Sequence, residues 1–172
     1  MQGLTGLLFL GAHLHFGYGY DFTAIAVSTS MLLTVGIVDF DHQRILNRSL
    51  IPAYAIALLL APFWTEAGLD RTFLGHDGLL ASFLNSAVAG GGTFLVFLTI
   101  LMLFPRRFGE GDVKLGLLIG LLAGVPGAVF GVWLSFLAAG AVAIILVVTG
   151  RMGRKDTMPL GPFLAAGTIV AL

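Results

Sequence analysis

Residues 79–104 read LLASFLNSAVAGGGTFLVFLTILMLF, with no charged side chain from end to end. A helix rises about 1.5 Å per residue, so this run outlasts the hydrocarbon core of a bilayer, about 30 Å thick. Working outward, six more apolar segments flank it, at about 1–17, 22–39, 50–65, 112–124, 127–149 and 158–172. Those at 22–39 and 127–149 also span by length alone. The segment at 112–124 reaches only about 20 Å, so it is expected to extend into the preceding loop or to border a water-filled cavity. Composition agrees, with 58% hydrophobic and 10% charged residues, against about 45–50% and about 25% in soluble domains. Such a chain cannot clothe a soluble surface. Its formal net charge of +0 and its nine basic residues also exclude a nucleic-acid binder. The absence of cysteine excludes a disulfide framework, a thiolate metal site and a cysteine nucleophile. The expectation is an all-α polytopic membrane protein, a bundle of about six to seven transmembrane helices. Its 24 glycines suit close helix packing, and Gly90, Gly91 and Gly92 read as packing or a kink inside a helix.

Basic residues orient the bundle. Arg44, Arg48, Arg106, Arg107, Lys114, Arg151, Arg154 and Lys155 fall in alternate loops, at 40–49, 105–114 and 150–157, and the intervening loops hold Arg71 alone. The positive-inside rule then puts the first group, and the amino terminus, in the cytoplasm. Tyr18, Tyr20 and Trp64 fall at the opposite interface, where aromatic belts form. The amino-terminal stretch lacks the basic region of a cleavable signal peptide.

Of the nine acids, Asp21, Glu66, Asp70, Asp77 and Asp156 sit in loops and read as solvated charge. Asp39 and Asp41 stand at the inner end of the second segment, and Glu110 and Asp112 at the inner start of the fifth. All four share one membrane depth. An Asp opening a helix is often its cap, and one at a helix exit can mark the interface. Against those readings, an ionisable group on an apolar helix is costly and points to function. Gly109 and Gly111 flank the second pair and admit backbone conformations closed to other residues, or close approach of a substrate strand. Two carboxyls from facing helices cannot both ionise easily, so the pair can share one proton. One member takes a proton from water while the other protonates or polarises a scissile carbonyl. A metal alternative is poorly supplied: His42 is near, His13, His15 and His76 are expected toward the far side, and no H-E-x-x-H occurs. No Gly-x-Ser-x-Gly offers a serine nucleophile either. Neither metal nor cofactor is expected.

The stretch Gly109-Glu110-Gly111-Asp112-Val113-Lys114-Leu115 resembles the G-x-G-D-x-K-L signature of type IV prepilin peptidases, within the GxGD intramembrane aspartyl proteases. Residues 39–47, running from Asp39 to Asn47, resemble that family's first aspartate box, with Leu46 where proline is usual, which implies a softer turn there. Residues 158–165 resemble its carboxy-terminal P-x-G-P-F-L-A element. The three elements stand in the family's order. The resemblance implies Asp39 and Asp112 as the catalytic pair. Asp41, Gly109, Gly111, Lys114, Asn47, Pro159, Gly161 and Pro162 are the implied substrate-binding or supporting residues. It implies one membrane-embedded peptidase domain over 1–172, with 1–20 an extra amino-terminal helix and 21–172 the core. The cysteine-containing methyltransferase domain of many bacterial members has no counterpart in this cysteine-free sequence. The implied partners are the leader segments of type IV prepilins or type II secretion pseudopilins and the lipid bilayer, with no nucleic acid. The implied place is the bacterial inner membrane, multi-pass, with the catalytic side cytoplasmic.

Lys114 has two readings, pairing with an acid or snorkelling to the interface, and Glu110 reads as exposed. Gly116, Gly120 and Gly124 form a small-residue ridge that would fix the Asp112 segment against its neighbours, and Gly127 and Gly131 open the next segment as packing residues. Asn85 and Ser86 read as interhelical hydrogen-bonding groups. Pro159 and Pro162 break the entry to the last segment and read as lining for a substrate strand. A preflagellin peptidase shares both aspartate boxes. From another class, a transporter or proton relay uses intramembrane acids too, but it calls for acids at several depths. A purely structural assembly subunit would tolerate Asp→Asn at both positions.

Overall fold

A computed structural model describes residues 6, 9–14, 19–42, 47–64, 71–105, 108–151, 153 and 158–172, with backbone alone at 21, 40–42 and 47–49. The turn at 43–46, and with it the Leu46 departure, lies outside the described residues. So do Arg44, Arg106, Arg107, Arg154, Lys155, Glu66, Asp70, His15 and Tyr18.

The architecture is all-α. Helix α1 is Tyr20–His42, α2 is Asn47–Leu60 followed by a 3-10 turn at Ala61–Phe63, α3 is Leu79–Leu103, α4 is Glu110–Val148 and α5 is Gly161–Ala171. Residues 9–14 are also helical, and His13 stands edge-on to Phe22 of α1 with ring centroids 5.7 Å apart. Among the described residues, three helices are long and apolar enough to cross a membrane: 22–39, 79–103 and 110–148. The chain is an all-α, multi-pass membrane protein.

The apolar segments expected at 112–124 and 127–149 are the two halves of α4. The helix breaks at Gly124 (φ 61°, ψ −174°) and Val125 (φ −96°, ψ 132°). Gly124 adopts a left-handed φ that β-carbon sterics disfavour in other residues. Pro126 then opens the second half, where its missing N–H costs nothing. Gly124 is therefore the break itself, and it also packs closely, since a β-carbon there would lie 2.7 Å from Asn85 Oδ1 of α3. Gly116 and Gly120 pack as expected. A β-carbon at Gly116 would lie 2.8 Å from the Phe97 ring, and one at Gly120 would strike the Ala89 carbonyl and the Thr93 hydroxyl of α3. Thr93 Oγ1 also donates to the Gly116 carbonyl at 2.7 Å, tying α3 to α4. Gly90 meets Leu121, while Gly91 and Gly92 face open space and α3 runs on unbroken.

Helix α1 buries Ile25, Leu32, Val35 and Asp39 along one helical stripe. The hydroxyls of Thr23, Ser28, Ser30 and Thr34 bond back to carbonyls four residues earlier, as Ser28 does to Ala24 at 2.8 Å, so they cost little in an apolar setting. Helix α5 lies between α1 and the second half of α4. A β-carbon at Gly36 would come within 3.0 Å of Ala165 Cβ, and one at Gly131 within 3.2 Å of Thr168 Cα. The short α5 thus bridges the helix bearing Asp39 to the helix bearing Asp112.

Candidate active site

Asp39 stands in the last turn of α1 and is only 7% exposed. Its Oδ2 accepts a hydrogen bond from the backbone N–H of Gly161 at 3.0 Å. Gly161 opens α5, with Leu160 as the cap residue and Pro162 in the first turn. The first amides of a helix have no intrahelical acceptor, and the helix dipole is positive there. Asp39 therefore lies on a site built to receive negative charge. Sequence reasoning placed Gly161 only among supporting residues. The proline-rich entry, with Pro at an early helical position, is the signal that a helix starts there.

Asp112 is partly buried in the first turn of α4. It is the third helical residue and not the cap. Gly109 is the cap, and its backbone N–H donates to Asp112 Oδ2 at 3.1 Å. The carboxyl thus steadies the start of its own helix, as the third residue of a capping box does. It also lies within electrostatic reach of Asp39. Two carboxyls from distant parts of the chain thus lie within electrostatic reach of each other, each held by one backbone amide at a helix amino terminus.

The glycines around Asp112 are not there for unusual backbone angles. Gly109 is extended (φ −100°, ψ 155°) and Gly111 is helical, conformations open to any residue. A β-carbon on Gly109 would meet Asp112 Oδ2 at 3.8 Å, an ordinary contact. Glu110 is exposed. Lys114 is partly buried, and its carbonyl accepts a bond from the Tyr54 hydroxyl of α2 at 2.7 Å. Sequence reasoning missed this brace on the second turn of the Asp112 helix. Asp41 and Asn47 are placed by backbone alone, at the end of α1 and the start of α2. Pro159 and Pro162 are partly buried beside Gly161. Among the described residues, no three His, Asp or Glu side chains converge as metal ligands would.

A second polar cluster sits at the other end of the first half of α4. Arg71, read from sequence as a loop charge, is only 2% exposed, and Trp64, read as part of an interfacial belt, is buried beneath it. The guanidinium carbon lies 4.5 Å from the centroid of the Trp64 ring. The correction has a physical cause: the broken α4 offers bare carbonyls, and these draw the cation inward. Asn85 bonds between helices there, to Val125 of α4, as expected for a polar residue on an apolar helix, whereas Ser86 accepts from Arg71 in the preceding loop.

Residues 26–147 match the model of the type IV leader peptidase family. The chain is 31% identical over 171 residues to the prepilin leader peptidase/N-methyltransferase of Bacillus subtilis (strain 168), covering 98% of this chain and 62% of that protein. It is 26% identical over 163 residues to the prepilin leader peptidase/N-methyltransferase of Pseudomonas aeruginosa, covering 92% and 51%. It is 34% identical over 109 residues to the leader peptidase HopD of Escherichia coli, covering 60% and 69%. The chain thus spans less than two thirds of the first two relatives. No solved structure matches it significantly.

Proposed function

The chain belongs to the type IV leader peptidase family, and we propose that it is an intramembrane aspartyl endopeptidase that removes the basic leader of type IV prepilins or pseudopilins. In this reading Asp39 and Asp112 are the catalytic residues. One carboxylate takes a proton from a water molecule, which attacks the scissile carbonyl. The other, protonated, donates to the carbonyl oxygen; as the tetrahedral intermediate collapses, the first passes the proton it took from water to the leaving amine and the second takes its own back from the diol hydroxyl. No metal, cofactor or covalent intermediate takes part. The observation that carries the reading is the placement of buried Asp39 on the amino terminus of α5, within electrostatic reach of Asp112 on the first turn of α4. Like charges so placed favour a state in which one proton serves both groups.

Both acids stand at the end of the bundle where the sequence concentrates Arg and Lys. The positive-inside rule assigns that end to the cytoplasm of a bacterial inner membrane. A prepilin leader, basic and followed by an apolar helix, presents its cleavage site at that depth. Residues 21–172 form the peptidase core in this reading. The irregular backbone at 158–160, beside Asp39, suits the lining of a substrate groove, since irregular backbone at membrane depth belongs where protein or a cavity covers it.

The test is cleavage of a purified prepilin in liposomes by wild type, Asp39→Asn, Asp41→Asn and Asp112→Asn. Asp39→Asn and Asp112→Asn are expected to lose cleavage while remaining folded, and Asp41→Asn to retain it. Full activity in either of the first two rejects the pair. A chelator is expected to change nothing, and strong inhibition by one would speak for a metal.

A further inference from the structure

The Arg71 cluster takes no part in the chemistry above, yet it sits on the helix that carries Asp112. The first half of α4 ends at Gly124 and Val125, so its last carbonyls lack the intrahelical donors that a continuing helix would supply. In a membrane such bare groups are costly. Arg71 answers them. Its Nη2 donates to the Leu122 carbonyl, and its Nη1 donates to the Ser86 hydroxyl at 2.8 Å and more weakly toward the Leu121 carbonyl at 3.5 Å. Asn85 holds the other side of the break. Its Nδ2 donates to the Val125 carbonyl at 3.1 Å and the Thr72 carbonyl at 2.9 Å, and its Oδ1 accepts from the Val125 N–H at 2.7 Å. A β-carbon at Gly124 would meet Asn85 Oδ1 at 2.7 Å and Arg71 Nε at 3.0 Å, so the cluster is closed around the glycine.

A buried cation is expensive, and burial pulls the pKa of the Arg71 guanidinium down to about 9. Its partners are a hydroxyl, two carbonyls and an indole face. At the carboxyl end of a helix a positive charge also meets the negative end of the dipole. Between this end and Asp112, the helix contacts α3 through Gly116 and Gly120. Those glycine contacts let the backbones come close, with Thr93 Oγ1 bonded to the Gly116 carbonyl and the Leu121 side chain against Gly90. Directional hydrogen bonds at the far end of the helix add an axial tie to these. Leu122 lies ten residues from Asp112, about 15 Å along the helix.

We propose that Arg71 is a positioning residue: by binding the carbonyls at the broken end of the first half of α4, it sets the axial position of that helix and so places Asp112 against Asp39. The proposal rests on the peptidase reading for its consequence in catalysis, and on geometry alone for its consequence in structure.

The test has two arms. The chain contains no cysteine, so spin labels attach only where cysteines are introduced. Ile51→Cys on α2 and Glu110→Cys on α4 are exposed positions close to the Tyr54–Lys114 contact between these helices. The separation of labels there, read by electron paramagnetic resonance on the full chain in lipid nanodiscs, reports the position of the start of α4. Arg71→Met is expected to shift or broaden that separation, and Arg71→Lys, which keeps the cation but forks less widely, to fall between. In the unlabelled protein, Arg71→Met is expected to lower kcat for prepilin cleavage per folded molecule about tenfold, with KM within about twofold. A role in stability alone would change the folded fraction and leave kcat per folded molecule unchanged. An unmoved separation, or an undiminished kcat per folded molecule, overturns the proposal. Where Arg71→Met does not fold, Ser86→Ala removes one guanidinium partner and is read in its place. A smaller shift in the same direction is then expected, and no shift overturns the proposal. A wild-type chain that leaves prepilin uncut refutes the peptidase reading, and the label separation still decides the role of Arg71.

Discussion

The Gly161 amide donates to the Asp39 carboxylate across 122 residues of sequence, and no space separates the two. A β-carbon on Gly161 would collide with Asp39 Oδ2 and lie 2.7 Å from Asp39 Cγ. Position 161 needs glycine for its size, since its backbone is helical. The start of α5 is thus both a hydrogen-bond donor to the carboxyl and a wall behind it.

We predict that Gly161→Ala displaces Asp39 and lowers kcat for leader cleavage by about tenfold to a hundredfold, because catalysis is sensitive to misplacement of about 1 Å. The check is steady-state cleavage by folded, monodisperse variant. A near wild-type kcat would show that Asp39 can move aside without consequence.

Gly120→Leu should lower both stability and activity. The contact of Gly120 with the Ala89 carbonyl and Thr93 hydroxyl leaves no room even for alanine, so Gly120→Ala alone should cost about 1–3 kcal/mol by overpacking. Thermal unfolding in detergent reads the first effect and cleavage the second. Normal cleavage by a stably expressed Gly120→Leu would separate α3–α4 packing from the placement of Asp112.

Asn85→Leu should destabilise the chain by about 1–3 kcal/mol, because it strips the Val125 N–H of its acceptor in an apolar setting. Thr99→Val serves as control. Its hydroxyl is exposed and bonds only back to Leu95 of its own helix, so its loss should stay within about 0.5 kcal/mol. Equal thermal midpoints for the two variants would deny the Asn85 contact any structural weight.

Tyr54→Phe removes the hydroxyl that braces the Lys114 carbonyl at 2.7 Å. A hydrogen bond of this kind contributes about 0.5–1.5 kcal/mol net. We therefore expect a small fall in thermal midpoint and cleavage within a fewfold of wild type. A loss of cleavage beyond about tenfold, out of proportion to that energy, would give Tyr54 a part in the reaction itself.

The legibility of these features follows their range. The boundary between the apolar segments at 112–124 and 127–149 was readable from local composition, although Gly124 itself read as a packing glycine and not as the break. The placement of Asp39 and Asp112 at the ends of apolar runs was readable for the same reason. Trp64 and Arg71 were misread as surface residues because hydropathy and charge rules describe what a side chain prefers in isolation. They do not reveal a bare helix end elsewhere in the chain that can receive a cation. The freedom attributed to Gly109 and Gly111 was misplaced likewise: the residue that uses a left-handed angle in α4 is Gly124.

The amino-acid sequence by itself determined an all-α membrane bundle, where its long spans run, and that four acids stand at span ends of one expected depth. Each of these depends on composition, charge and backbone chemistry counted over a few neighbouring residues. Only the tertiary structure decided that α5 would put its first amide on Asp39, that Tyr54 would brace the Asp112 helix, and that Arg71 would close the far end of that helix. Those contacts join residues 51 to 122 positions apart. They exist because helices pack at particular depths and rotations, and no local preference of the chain encodes which amide will face which acid.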